Sequence, residues 1–175
     1  MKLNSLKHRI FFFPLLAAFF ITACEGPAGP EGPPGPEVIP VSFEFEADLL
    51  QDNDFEFFRE IPGQIEVFGS DVMLAYVLED YIEEDDLEVW RQLPLTDFTE
   101  NGTRVMSFDH TVTDIRVFLD ADYALGQADE FEDLLIRAVH VPAGLVSENN
   151  MQKVQQAASV RELESVLGTK IKQVD

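Results

Sequence analysis

Apolar and polar residues alternate at several points between residues 41 and 141, with the period of two that a half-buried β-strand produces. In the first such segment, Val41, Phe43 and Phe45 alternate with serine and glutamate. Residues 72–78 instead form a continuous apolar run, which indicates a central strand covered on both faces. The other predicted strands lie at residues 55–60, 89–93, 105–108, 115–119 and 135–141. Seven or eight short strands separated by turn signals predict a mainly β domain, either an antiparallel sandwich or a barrel.

The C-terminal segment has a helical pattern. Ser159 and Glu162 have the spacing of a capping box, in which each side chain accepts a hydrogen bond from a free backbone N–H at the start of a helix. The apolar residues that follow fall on one helical face, and Gly168 is a suitable C-terminal stop. We expect a short helix here, packed against the β domain or covering one of its edges. Residues 151–158 are expected to form an earlier turn or an independent short helix.

The N-terminal residues have the layout of a secretory signal peptide. Lys2, Lys7 and Arg9 lie in a segment without acidic residues, and an apolar run follows at residues 10–21. This run is short for a membrane-spanning helix, which needs about 20 apolar residues. A basic region followed by a short apolar region is typical of an export signal that is removed from the mature protein.

Ile21, Thr22, Ala23 and Cys24 end the apolar run and resemble the lipobox of bacterial lipoproteins. In that family the cysteine thiol receives a diacylglyceryl group, and cleavage makes the cysteine the acylated N-terminus. The resemblance implies that residues 1–23 are a signal peptide and that Cys24 is lipidated. Two or three acyl chains would hold the protein at a membrane, since each buried methylene contributes about 0.8 kcal/mol. The alternative is that Cys24, the single cysteine, is an ordinary buried or reactive thiol.

Glycine recurs at every third position after the cysteine, with proline beside each one. The glycines are Gly26, Gly29, Gly32 and Gly35. This is the Gly-X-Y pattern of collagen, in which only glycine fits at the axis of the triple helix. Four triplets are few for a stable triple helix, and a single proline-rich chain is also extended, at about 3.1 Å per residue. We expect a semi-rigid monomeric stalk, with a collagen-like trimer as the alternative.

These segments define the domain organisation. They are a signal peptide (residues 1–23), a lipidated cysteine with a collagen-like stalk (24–40), a β domain (41–145) and a C-terminal helical segment (146–175). The combination resembles small collagen-like lipoproteins of Gram-negative bacteria, and the stretches of the β domain that carry the resemblance are residues 71–76, 90–94 and 136–142. Membership would place the protein in the bacterial cell envelope, lipid-anchored in the outer membrane. The family implies no activity.

The charge of the chain argues against some classes of partner. There are 33 acidic and 12 basic residues, and removal of residues 1–23 would take away three basic residues and no acid, which leaves a formal charge of −24. Phosphate contacts need clustered cations, so no nucleic-acid partner is expected. The same charge repels anionic headgroups, and membrane contact is therefore expected only through the N-terminal lipid.

Few residues of the mature chain are suited to catalysis. Its two histidines, His110 and His140, lie in strand patterns and are expected to be core or strand-end residues rather than catalytic bases. The sequence contains no nucleophile elbow, phosphate-binding glycine-rich loop or His-Glu-x-x-His helix. We therefore predict no enzymatic activity, no catalytic residue and no cofactor.

Carboxylates are the only abundant reactive groups. Three acidic segments stand out, namely Asp52 with Asp54, residues 83–86, and Asp120 with Asp122. Oxygen ligands at such spacings suit Ca²⁺. The last segment fails the EF-hand pattern, because Phe131 stands where a bidentate glutamate is needed. We expect solvated turns and no metal site, with Ca²⁺ binding as the alternative.

Trp90 and the Asn101–Gly102 pair each have two interpretations. An exposed Trp90 would be a platform for stacking a sugar ring, but its neighbours Val89 and Leu93 favour a position in the core or at its rim. Asn101 begins a glycosylation sequon, but Asn-Gly is also a strong signal for a tight hairpin turn, which we favour.

The leading hypothesis is a membrane-anchored β domain on a stalk, with a non-enzymatic structural or surface-interaction role. Its partner would be an envelope protein or a glycan. The alternative is a glycan- or Ca²⁺-binding module, and an enzyme is the third possibility.

Overall fold

The computed structural model describes residues 38–175. The predictions for the signal peptide, for lipidation of Cys24 and for the stalk glycines lie outside these residues. The described part contains nine strands and two short helices: β1 (Val41–Leu49), β2 (Glu56–Glu60), β3 (Val72–Ile82), β4 (Leu87–Gln92), β5 (Leu95–Phe98), β6 (Thr103–His110), β7 (Asp114–Ala121), β8 (Phe131–Val141), α1 (Met151–Gln155), α2 (Val160–Leu167) and β9 (Lys172–Gln173). Neither of these helices is long and apolar enough to cross a membrane.

The strands form two sheets. One has five strands in the order β4-β3-β8-β1-β9, and the other has four in the order β2-β7-β6-β5. Every neighbouring pair is antiparallel except β1 and β9, which are parallel. The mainly β, sandwich-like fold with a short C-terminal helix is therefore confirmed. Two of its strands, β5 and β9, were not among the predicted strands.

The main core lies between the two sheets. Alternate residues of β3, namely Met73, Ala75 and Val77, contribute to it from the five-stranded sheet. Ile115 and Val117 of β7 contribute from the opposite sheet and are fully buried. These residues alternate along each strand and point to the same side of their sheet, as the two-residue period of a β-strand requires.

A second core covers the other face of the five-stranded sheet. Leu74 and Tyr76, the intervening residues of β3, pack there against Val154 of α1 and Leu163 of α2. Both faces of β3 are thus buried over residues 73–77, as the continuous apolar run predicts. The Tyr76 hydroxyl donates a hydrogen bond of 2.9 Å to the carbonyl oxygen of Ala157, between the two helices.

The predicted cap of α2 is present with one change of partner. The Ser159 Oγ accepts a hydrogen bond from the N–H of Glu162 at 3.2 Å. The Glu162 carboxylate accepts from the N–H of Ala158 at 3.1 Å, one residue earlier than in the standard box. Gly168 ends the helix with a left-handed φ of 68°. The cap fixes where α2 begins and therefore where its apolar face meets the sheet.

The Asn101–Gly102 pair lies in the connection between β5 and β6, as the hairpin interpretation predicts. Gly102 has a φ of 147°, and a Cβ atom at this position would lie 2.1 Å from Oδ1 of Asp122. The same Asp122 oxygen accepts a hydrogen bond from the N–H of Thr103 at 2.8 Å. The turn therefore needs glycine both for its backbone and for space.

The two ends of the described chain meet at one end of the five-stranded sheet. Val41, at the start of β1, pairs with Lys172 of β9 and with His140 of β8. Met73, near the start of β3, pairs with His140 from the other side. Because β3 runs parallel to β1 in this arrangement, Ile82 at the end of β3 lies at the opposite end of the sheet.

Candidate functional site

The β3–β4 hairpin leaves the sheet part of the way along its length. Pairing between β3 and β8 ends at Val77, whereas pairing between β3 and β4 continues to Ile82 and Leu87. In residues 78–90, which we call the hairpin arm, each strand therefore pairs through its backbone only with the other strand of the arm. An isolated two-stranded ribbon is only marginally stable, so a projecting one carries a conformational cost.

The hairpin arm exposes large apolar side chains. Tyr81, Ile82 and Leu87 are 47%, 40% and 52% exposed. Residues 83–86 form the turn at the tip and are all exposed. Ile82 and Leu87 are directly paired and share one face of the arm, whereas Tyr81 pairs with Glu88 on the other face. Exposed apolar side chains among charged residues are typical of an interaction site.

Trp90 lies at the base of the hairpin arm, opposite Leu78, and its side chain is half-buried. The Arg137 guanidinium lies over its ring, 3.9 Å from the centroid. The indole N–H donates to the Glu88 carboxylate at 2.8 Å. Trp90 therefore occupies the rim of the second core, one of the two positions predicted for it, and one face of its ring is covered by a cation.

Arg137 links this site to the middle of the sheet. It donates hydrogen bonds to the Glu44 carboxylate at 2.6 Å and to the Glu88 carboxylate at 3.1 Å. The Arg137 side chain is largely buried, and its partners lie on two different strands, β1 and β4. These two contacts fix the position of the guanidinium over the Trp90 ring. Nothing in the local sequence predicts this contact, because Arg137 and Trp90 are far apart in the chain and the pairing depends on the strand order.

An open cleft of about 740 Å³ separates the hairpin arm from the start of α2. One wall carries Tyr81, Leu87 and Trp90, and the other carries Ser159 and Arg161. We call this space the arm cleft. It combines aromatic rings with guanidinium, carboxylate and hydroxyl groups, which can hold a ligand by stacking and by hydrogen bonds.

Two carboxylates lie near the tyrosine of this cleft. Tyr81 donates a short hydrogen bond to Asp86 across the tip of the hairpin arm. This bond, together with some desolvation and the nearby Glu88 charge, raises the pKa of Tyr81. The phenol therefore remains a neutral hydrogen-bond donor at physiological pH.

The two histidines, predicted to be core or strand-end residues, lie away from the cleft. His110 is the exposed last residue of β6, and its Nδ1 is 3.1 Å from the carbonyl oxygen of Thr111. His140 is buried near the end of β8, and its Nε2 bonds to Oδ2 of Asp71 at 2.8 Å. Its Nδ1 has no hydrogen-bond partner among the described residues, so no serine hydroxyl completes a triad there.

Asp71 is held by a cluster of hydrogen bonds. It accepts from the backbone N–H groups of Phe68 and Ala143 as well as from His140. Burial by itself would raise the pKa of Asp71, but these three donors outweigh it and lower the pKa below its usual value. The carboxylate thus joins a turn, a strand end and a loop, which is a structural role.

The three acidic segments lie in separate turns. Asp52 lies in a 3-10 turn after β1, residues 83–86 form the tip of the hairpin arm, and Asp122 follows β7. Among residues 38–175, no three His, Cys, Asp or Glu side chains converge in a geometry suited to a metal ion. The Asp122 carboxylate is instead bonded to the backbone of Thr103.

No protein-family model, curated protein or solved structure matches the chain.

Proposed function

We propose that this chain is a lipid-anchored protein of the bacterial cell envelope, with a β domain that has a non-enzymatic structural or interaction role exercised through the hairpin arm. The observation that carries the proposal is the exposed apolar surface of Tyr81, Ile82 and Leu87 in a strongly acidic domain. Exposing these side chains is unfavourable for an isolated domain, and contact with a partner would remove them from water.

The position of the hairpin arm favours this role. The chain enters the domain through residues 38–40, beside the start of β1, and the tip of the arm lies at the other end of the same sheet. A lipid on Cys24 would be connected to the domain through residues 38–40, and contact through the arm would not involve the residues at which the chain enters.

The anchor is tested by mass spectrometry of the membrane fraction. The expected N-terminus is a diacylated or triacylated Cys24, with residues 1–23 absent. A Cys24→Ser variant should remain unprocessed or be released from the membrane. An intact Met1, or an unmodified Cys24 in correctly localised protein, would contradict the proposal.

The interaction role is tested by photo-crosslinking in intact cells. A photoreactive amino acid at Leu87 is compared with one at Val112, which is equally exposed, at 54% against 52%, but lies in the turn between β6 and β7. We expect a discrete crosslinked product from position 87, identified by mass spectrometry as one envelope protein. The same product should be lost when Ile82→Asp is added and should not form at position 112. Equal labelling at both positions, or none at position 87, would refute a specific contact through the arm.

Glycan binding at the same cleft is the second candidate. The observation that favours it is the partly exposed Trp90 ring beside Arg137 and Glu88, since aromatic rings stack on sugars while charged groups bond to their hydroxyls. A glycan array with the mature domain would test it. A signal that Trp90→Ala abolishes, with an unchanged melting temperature, would favour the glycan over the protein partner.

A further inference from the structure

A cavity lies between the two sheets on the side of the hairpin arm that faces away from the arm cleft. It occupies about 220 Å³. It begins where pairing between β3 and β8 ends, because beyond Val77 these two strands are no longer hydrogen-bonded to each other. Its apolar lining comes from five strands and comprises Val77, Leu78, Leu95, Met106, Leu119, Phe131 and Leu134.

Met106 and Leu119 in the wall of this cavity belong to the main core and are nearly buried, at 8% and 6% exposure. Protein interiors are normally close-packed, with few voids larger than a water molecule. An apolar cavity of about 150 Å³ stays dry and accepts benzene. The cavity between the two sheets is larger and differs in having charged side chains at its mouth, and it has room for a ligand of roughly ten non-hydrogen atoms.

The polar groups at the mouth of the cavity define the charge of this ligand. Arg91 is paired with Glu79 at 2.6 Å, and Arg104 is paired with Asp97 at 3.2 Å. Both guanidinium groups are already neutralised, and the domain as a whole is strongly acidic. An anionic ligand would have to displace a carboxylate against this field. An uncharged ligand leaves both ion pairs intact and can bond to them through one hydroxyl or carbonyl group.

We propose that this cavity is a binding site for a small, uncharged, mainly apolar molecule with a single polar end, such as a medium-chain alcohol. The cavity shares Leu78 and Glu79 with the hairpin arm but none of the exposed apolar residues Tyr81, Ile82 and Leu87, so the site does not depend on the interaction role of the arm. Binding is non-covalent. The apolar part of the ligand is expected to lie between the sheets, and its polar end between the two ion pairs.

The methionines allow a direct test. The mature chain contains Met73, Met106 and Met151, and only Met106 lines the cavity. Residues 24–175 with Cys24→Ser are labelled with ¹³C at the methionine methyl groups and titrated with 1-octanol. We expect a saturable shift of the Met106 signal, while the signals of Met73, in the same core, and of Met151, at the surface, stay in place. Sodium octanoate, the matched anion, should bind about tenfold more weakly, equivalent to roughly 1.4 kcal/mol.

A cavity-filling variant provides the second readout. Leu134→Trp should abolish the octanol-dependent shift of Met106, and the matched control Leu145→Trp, in the second core, should leave it unchanged. If thermal melts show that the Leu134→Trp variant does not fold, Leu134→Phe is used in its place. Absence of a Met106 shift in the parent protein, equal shifts of all three methionines, or octanoate binding as tight as octanol would each overturn the proposal.

Discussion

Replacing Tyr76 by phenylalanine should weaken the attachment of the C-terminal helices to the sheet. The Tyr76 side chain is fully buried, and its hydroxyl donates to the carbonyl oxygen of Ala157 at 2.9 Å. Burial, and to a smaller extent the nearby Glu162 charge, raises the pKa of Tyr76 well above its ordinary value. The hydroxyl is therefore a permanent donor. Its removal leaves a buried acceptor without this partner.

An unsatisfied buried acceptor costs about 1–3 kcal/mol. For a domain of this size, a loss of about 2 kcal/mol lowers the melting temperature by roughly 4–8 °C. The assay is thermal unfolding of the mature chain followed by circular dichroism. Hydrogen exchange is measured in parallel, and amides of α1 and α2 should lose protection first, because the lost bond connects them to β3.

The matched control is Tyr81→Phe, which removes the same hydroxyl from an exposed hydrogen bond on the hairpin arm. Solvent replaces that bond, so the melting temperature should change by less than about 2 °C. If the two variants melt at the same temperature, or if Tyr76→Phe affects hydrogen exchange equally throughout the domain, the reasoning about the buried hydroxyl is wrong.

Three further predictions follow from other sites. Gly102→Ala should destabilise the domain by about 1–3 kcal/mol in urea titrations, because of the positive φ and the contact with Asp122, whereas Gly69→Ala, with open space around it, should be close to neutral. The pKa of Asp71 is lower in the folded state than its unfolded value of 3.8. The Asp71 carboxylate therefore stabilises the folded state fully above pH 3.8, and this contribution is lost as the pH falls through the folded-state pKa. Asp71→Asn should therefore reduce the free energy of unfolding at pH 7 and make its decrease between pH 4 and 2 shallower. If that decrease is as steep in the variant as in the parent, Asp71 is not the group responsible. Millimolar CaCl₂ should raise the melting temperature no more than NaCl of equal ionic strength, whereas a specific site at a hundredfold excess over its Kd would add about 2.7 kcal/mol.

The parts of the fold that the sequence predicts are those determined by local patterns. Residues 72–78 are apolar at every position, and burial on both faces of β3 follows directly from that. Ser159, Glu162 and Gly168 likewise mark the ends of α2 through backbone hydrogen bonds made within a few residues. Side-chain periodicity and capping are short-range signals, and a single sequence contains them.

The parts that the sequence does not predict depend on contacts between distant residues. Strand β5 has only four residues after a proline, and its position is set by pairing with β6. Strand β9 consists of Lys172 and Gln173, which carry no strand pattern and are held by backbone bonds such as that from the Lys172 N–H to the carbonyl oxygen of Pro40.

The candidate site was only partly predictable for the same reason. Trp90 stood out because it is the single tryptophan, and its position at the rim was one of the two expected. Arg137, Arg161 and the separation of the hairpin arm from β8 were not predicted. All three depend on which strands and helices become neighbours in the folded chain.

The placement of the chain entry and the hairpin arm at opposite ends of one sheet has a mechanical consequence. If the lipid anchor and the contact through the arm both hold, any pull between membrane and partner would run along the strands, from β1 through β8 to β3. Antiparallel hydrogen bonds lie perpendicular to the strands, so such a force loads them together in shear and not one after another. Eight positions pair between β1 and β8, but only six between β3 and β8. Under tension the domain should therefore yield first at the β3–β8 boundary, so that the arm detaches while the strand next to the anchor remains in place.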